Sequence, residues 1–233
     1  MSQLLQYSIK TDSIKKGLKW AMPILLGITP IGMTYGLLAH QTGLGMWPTL
    51  GLSLFVFAGT SQFMAVSMLN SGVGALSIII ATFIVNFRHV LMSASLAPLL
   101  SLWSKRQRLM LGATLTDESF VMHSLHFSKG DIDPVAAITL NFSMYVIWST
   151  SSVIGFYLGA LIKHPESWGL DFVLPAMFIG LLLPSCIRRS AAFAALCGGL
   201  VSVALHLLGM GNWAVFFGAI AGATAATLLE ERA

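Results

Sequence analysis

Residues 84–100 read IVNFRHVLMSASLAPLL, an apolar run interrupted near its start by Asn86, Arg88 and His89. An arginine at the centre of a membrane helix costs about 2.5–3.5 kcal/mol on insertion scales. The stretch therefore belongs either to a soluble core with a misplaced charge or to a membrane protein that holds Arg88 in a polar place. Composition decides between them. Of the 233 residues, 56% are hydrophobic and 9% are charged, whereas soluble domains carry about 25% charged residues. So few charges cannot cover a soluble surface. The fold class is an all-α polytopic integral membrane protein.

A helix needs roughly 20 apolar residues to cross the hydrocarbon. That length places helices near 20–39, 48–69, 73–100, 133–162, 171–187, 191–208 and 212–229, with 109–127 left open. The total is about 6–8 transmembrane or half-membrane helices. Residues 1–19 are expected to form a cytoplasmic segment, 20–229 a single transmembrane domain, and 230–233 a short tail. The region from Trp20 carries Pro23 and Pro30 and no small-residue cleavage site. It reads as the first span rather than a signal peptide.

The basic residues are clustered: Lys10, Lys15, Lys16 and Lys19, then Lys105, Arg106 and Arg108, then Arg188 and Arg189. Short basic loops mark the cytoplasmic side, so the N-terminus is expected inside. Nucleic acid would need a solvent-exposed basic surface with readable contacts, and the clusters do not form one. Keeping 105–108 on the N-terminal side requires one re-entrant element in the first half. Either 48–69 turns back and 73–100 crosses once, or 73–100 itself returns.

Three GxxxG spacings, Gly32–Gly36, Gly155–Gly159 and Gly218–Gly222, let helix backbones approach closely. Ordinary packing is their first meaning. GMTYGLLAHQ (32–41) and GFYLGALIKH (155–164) also look alike, and the same offset sets NFRH (86–89) opposite 208–212. Two internal repeats, about 20–105 and 140–230, are the expectation, as in transporters that hold substrate where helices break. Whether they are inverted or parallel stays open.

FVFAGTSQF (55–63) is the second polar interruption. A helix broken at Gly59, Thr60, Ser61 and Gln62 would turn free N–H or C=O groups inward to hold an ionic substrate. Alternatively, the hydroxyls bond back to carbonyls a turn earlier. Arg88 needs a partner, water or lipid phosphate. Asp117 and Glu118, in LGATLTDESFVMHSLHF (111–127), are the acidic candidates. Arg88 is expected to neutralise one, leaving the other to carry a coupling proton; the alternative is a surface segment whose acids face water. His89 joins this ion-pair group, three residues from Asn86, although a satisfied core histidine is the default for it and for His206. Cys186 and Cys197 have no metal-type spacing and read as small hydrophobes. There is no HExxH, no GxSxG and no ring of like charges. Neither an enzyme, a cofactor, a metal nor a channel is expected.

Taken together, FAGTSQF, NFRHVLMSASL and LTDESF resemble the AzlC-type branched-chain amino-acid exporters, from about residue 15 to the C-terminus. The resemblance implies an inner-membrane large subunit acting with a small AzlD-type membrane partner. The pair would export valine, leucine, isoleucine and sometimes methionine; uptake of small neutral amino acids, or a non-transporting subunit, are the alternatives. A zwitterionic aliphatic substrate needs a carboxylate partner, an ammonium partner and a dry pocket. Arg88 or free N–H groups suit the first, and an acid or backbone carbonyls the second. Single methylenes discriminate only about 10- to 200-fold, so overlapping substrates are expected.

Overall fold

Long apolar runs with no alternation form helices, because only a helix satisfies its own backbone groups in hydrocarbon. The computed structural model describes residues 2–162, 179, 186 and 189–230, and every element among them is helical. Helix α1 is Ser2–Gln41, so the basic segment expected before the first span is itself helical. Pro23 and Pro30 lie inside α1. Next come α2 (Met46–Gly51), a π-helical turn (Leu52–Val56) and α3 (Gly59–Asn70). The single helix expected at 48–69 is thus two. Then α4 (Ala75–Asn86) meets α5 (Arg88–Leu96), and a 3-10 turn ends it at Leu100.

The open stretch 109–127 belongs to two short helices, α6 (Lys105–Ala113) and α7 (Asp117–Phe127). Each starts at a capping box, Ser104 with Gln107 and Thr116 with Ser119, which satisfies N–H groups no helical carbonyl can reach. Helix α8 (Pro134–Leu161) begins at Asp133, whose carboxylate accepts from the Val135 and Ala136 N–H groups. Beyond it lie α9 (Arg189–Leu207) and α10 (Gly211–Glu230). The helix expected at 171–187 lies outside the described residues apart from 179 and 186, as do Trp168 and the tail 231–233. Among the described residues, four helical stretches are long and apolar enough to cross a membrane: Thr11–Gln41, Ala75–Leu100, Pro134–Leu161 and Arg189–Leu207. Cys186 and Cys197 are free and half-buried.

The chain divides into two compact units, Met1–Gln62 with Val85–Ile162, and Phe63–Ile84 with Lys163–Ala233. In the first, α1 and α8 run parallel, in contact from Gly17 beside Ala136 to His40 beside Gly159. Glycine makes the contact possible. A Cβ on Gly36 would overlap the Ser152 carbonyl, and one on Gly155 the Met33 carbonyl. The first two GxxxG motifs therefore mate with each other. At the shared N-terminal ends Lys16 pairs with Asp131, and Trp20 stacks on His126 at 3.9 Å.

Helices α6 and α7 rise only about 13 and 16 Å, too little to cross. Phe127, Leu111, Trp103 and Leu100 pack with Ala137, close to the start of α8. One turn deeper, Asn141 Nδ2 donates to Leu111 O at 3.2 Å and to Thr114 Oγ1 at 3.3 Å. The pair is a helical hairpin that enters beside the first turns of α8 and reverses at Thr114–Thr116. In the second unit, α9 and α10 form an antiparallel pair: Gly198 faces Gly218 and Gly222, and Ser202 Oγ donates to Ala214 O at 2.8 Å. The turn at Gly209 (φ +79) takes up the interruption read at 208–212. In the same unit Ala65 and Met68 pack against Ile78 and Ala81.

Candidate functional site

The chain breaks where a membrane-length segment has its middle. Six residues of α2 and five of the π-helical turn rise about 16 Å, roughly half the hydrocarbon thickness. Phe57 then takes left-handed dihedrals (φ 43, ψ 47), a conformation bulky residues rarely adopt. Its ring is pinned edge-on to Tyr145, centroids 4.9 Å apart. The break thus falls at Phe57–Ala58, and GTSQ forms the first turn of the next helix.

Gln62 shows how sharp the bend is. Its Nε2 donates to Ser53 Oγ at 3.0 Å across nine residues. In a continuous helix those positions would stand about 13.5 Å apart along the axis, so the chain turns back on itself. A closed relay holds the turn. Ser53 Oγ donates to Ser152 Oγ (2.9 Å), Ser152 Oγ to Trp148 O (2.8 Å), and Trp148 Nε1 to Gln62 Oε1 (3.0 Å). Tyr145 OH reaches Leu54 O at 3.0 Å and Tyr35 OH reaches Thr49 O at 3.1 Å.

The four residues expected as one binding run therefore divide. Gln62 is fully buried and committed to the relay. Ser61 is also fully buried and its hydroxyl bonds back to Ala58 O at 3.0 Å. Thr60 is half-buried and makes no side-chain hydrogen bond among the described residues. Gly59 lies against the Trp148 ring. Since Gln62 N–H is the one that bonds back to Ala58 O, the N–H groups of Gly59, Thr60 and Ser61 have no helical carbonyl, and the positive end of the α3 dipole faces them. Ser149 Oγ on α8 is buried without a partner.

The second polar place is the tip of the α6–α7 hairpin. Arg88 Nη1 lies 2.9 Å from Asp117 Oδ2, with the two side chains 34% and 46% exposed. Arg88 is thus held within the protein, by one of the two carboxylates read from the sequence. Glu118, next along, is exposed and makes no ion pair among the described residues. The interruption expected at NFRH is slight: Phe87 keeps right-handed helical dihedrals (φ −55, ψ −25), and Val90 N–H bonds to Phe87 O one residue short. His89 Nδ1 is 3.0 Å from Asn86 O, so Asn86 and His89 bind each other across the kink. Among the described residues, Arg88 Nε and Asn86 Oδ1 are buried without partners. Gln62 and Arg88 share no hydrogen-bonding partner among the described residues.

Sequence reading did not single out Trp148, Ser152, Ser53, Asn141 or His123. The run Ser149-Thr-Ser-Ser152 in an apolar span was the available signal for the relay. His123 is fully buried, with Nε2 2.8 Å from Asn141 Oδ1. Among the described residues no group of three or more His, Cys, Asp or Glu side chains is arranged to hold a metal.

Comparison with known proteins matches residues 23–162 to the family described as AzlC protein. The "Branched-chain amino acid transport protein AzlC" of Bacillus subtilis (strain 168) is 27% identical over 86% of this chain and 78% of that protein. An "Uncharacterized membrane protein" of Helicobacter pylori (strain 26695) is 31% identical over 75% of this chain and 78% of its own length. The "Inner membrane protein YgaZ" of Escherichia coli (strain K12) is 29% identical over 82% of this chain and 81% of that protein. No solved structure matches. A match across the first span, the bent segment, the hairpin and α8 covers more than half of the molecule, and the chain belongs to the AzlC family.

Proposed function

We propose that this protein is the large subunit of a two-component secondary transporter that exports branched-chain amino acids across the inner membrane. Its N-terminus is cytoplasmic, and it works with a small AzlD-type membrane partner. The observation that carries the reading is the bend at Phe57–Ala58. It leaves three N–H groups without helical acceptors within an apolar segment, a place that favours an anionic group and rejects a cation. Arg88 supplies a second anion partner. A substrate carboxylate would be held by Arg88 or by the α3 N-terminus with Thr60, and the ammonium by Asn86 Oδ1 or an acid. Glu118, unpaired, is the proton-coupling candidate. The kinship with a protein named for branched-chain amino acid transport supports the aliphatic substrate class.

The test is efflux of preloaded radiolabelled leucine, valine, methionine and lysine from cells with and without the two subunits. Leucine, valine and methionine should leave faster with both present, and lysine at the same rate. Lysine leaving as fast as leucine would remove the site; no difference for any of them would remove the transport assignment.

A further inference from the structure

Asp117 sits where an incoming carboxylate would go. Arg88 lies within the apolar helical stretch Ala75–Leu100, where an unpaired cation is costly and an anionic partner is favoured. Asp117 supplies that anion from the neighbouring hairpin at 2.9 Å. Neither partner depends wholly on the other. Asp117 is in the first turn of α7, where the dipole stabilises a carboxylate even without Arg88. Arg88 keeps a buried, unpartnered Nε beside the pair, a donor ready for a second, forked acceptor. The pair is partly exposed, with the two side chains 34% and 46% accessible. The hairpin is also anchored elsewhere, through Asn141 and the cluster around Trp103 and Phe127, so it stays docked if the tip is released.

Resting on the transport reading above, we infer that Arg88 exchanges Asp117 for the substrate carboxylate, so that the hairpin tip is held by an internal mimic in the empty protein and freed by substrate. A partly exposed ion pair is worth roughly 0.2–1 kcal/mol, and removing the competitor should strengthen binding by about 1.4- to fivefold. In the two-subunit complex, Asp117→Asn should bind radiolabelled leucine more tightly by that factor, and Arg88→Gln should lose binding. Isoamylamine, which is leucine without its carboxylate, should not compete in either the parent or Asp117→Asn. Leucine, but not isoamylamine, should speed maleimide labelling of Glu118→Cys in a background lacking Cys186 and Cys197.

If Asp117→Asn binds leucine no better than the parent while Arg88→Gln loses binding, the exchange is overturned and Arg88 remains the carboxylate partner. If Arg88→Gln binds leucine unimpaired, the exchange and that assignment fall together. Unchanged labelling of Glu118→Cys with saturating leucine overturns release of the tip.

Discussion

A buried side chain tied to other side chains of the protein has a different use from one that waits for a ligand, and Gln62 and His123 are both of the first kind. Gln62 spends its donor on Ser53 and its acceptor on Trp148, 86 residues away. His123 is more finely poised. Asn141 Nδ2 already donates to Leu111 O and Thr114 Oγ1, which turns its Oδ1 to His123 and fixes Nε2 as the donor. Nδ1 is left bare, buried and unpartnered. A proton there would have no acceptor, and burial pushes this histidine down to about 4 from its ordinary 6.5. The unfolded chain then takes up a proton that the folded one refuses. Stability is flat above about pH 6.5 and falls as pH drops from there towards 4, by roughly 3 kcal/mol if His123 acts alone. Melting temperature of the purified protein should decline over that interval. His123→Phe, less stable at neutral pH by about 1–3 kcal/mol, should decline less steeply. Parallel pH curves for the two would show that another group governs acid stability.

Between helices, the decisive contact is backbone to backbone. A methyl on Gly36 meets Ser152 O, Ser152 C and Phe156 N, none of which can rotate away as a side chain can. Gly36→Ala should destabilise the α1–α8 pair by about 1–3 kcal/mol or more, lowering both melting temperature and the amount of protein in membranes. Gly27, on the same helix, has nothing within 4 Å of a built Cβ. Gly27→Ala should be neutral or stabilising by up to about 1 kcal/mol; equal losses in the two variants would refute the packing account. The long helices near 20–39, 73–100, 133–162 and 191–208 and the packing role of the GxxxG glycines were legible in the sequence, because span length and small-residue spacing are local properties; which motif meets which was not. The bends were less legible. Sequence reading pointed to Gly59, the permissive residue, yet the chain turns at Phe57, held left-handed by Tyr145 on a distant helix. At NFRH it left open two half-helices or one tilted helix, and the structure shows a slight kink splinted by His89 and Asn86. Arg88 was legible as a charge that needs a partner, because an unpaired cation in hydrocarbon is expensive. Gln62 was not legible as a latch, because its partners come from the π-helical turn and α8.

At the scale of the whole molecule, the parallel pair fixes sidedness. The N-terminal ends of α1 and α8 share one side, tied by Lys16 and Asp131, and the hairpin enters from that side with Lys105, Arg106 and Arg108 at its base. The loop at 42–45 after α1 carries no charge, so the positive-inside rule supports the proposed orientation, with the basic side cytoplasmic. Leu96 and Leu100 pack with Trp103, Phe127 and Ala137 near that same side, while Arg88 meets the hairpin tip; α5 therefore runs toward the basic side. If Ala75–Leu100 crosses once, it starts outside, and the bent segment 46–70 must begin and end outside. The nine-residue fold-back between Ser53 and Gln62 supports the same re-entrant course. With Cys186 and Cys197 replaced by serine, Trp47→Cys and Ser71→Cys should both react with a membrane-impermeant maleimide on intact cells, whereas Arg106→Cys and Lys129→Cys should react only after permeabilisation. Labelling of Ser71→Cys only after permeabilisation would make 46–70 a kinked span, and would require Ala75–Leu100 to start on the cytoplasmic side.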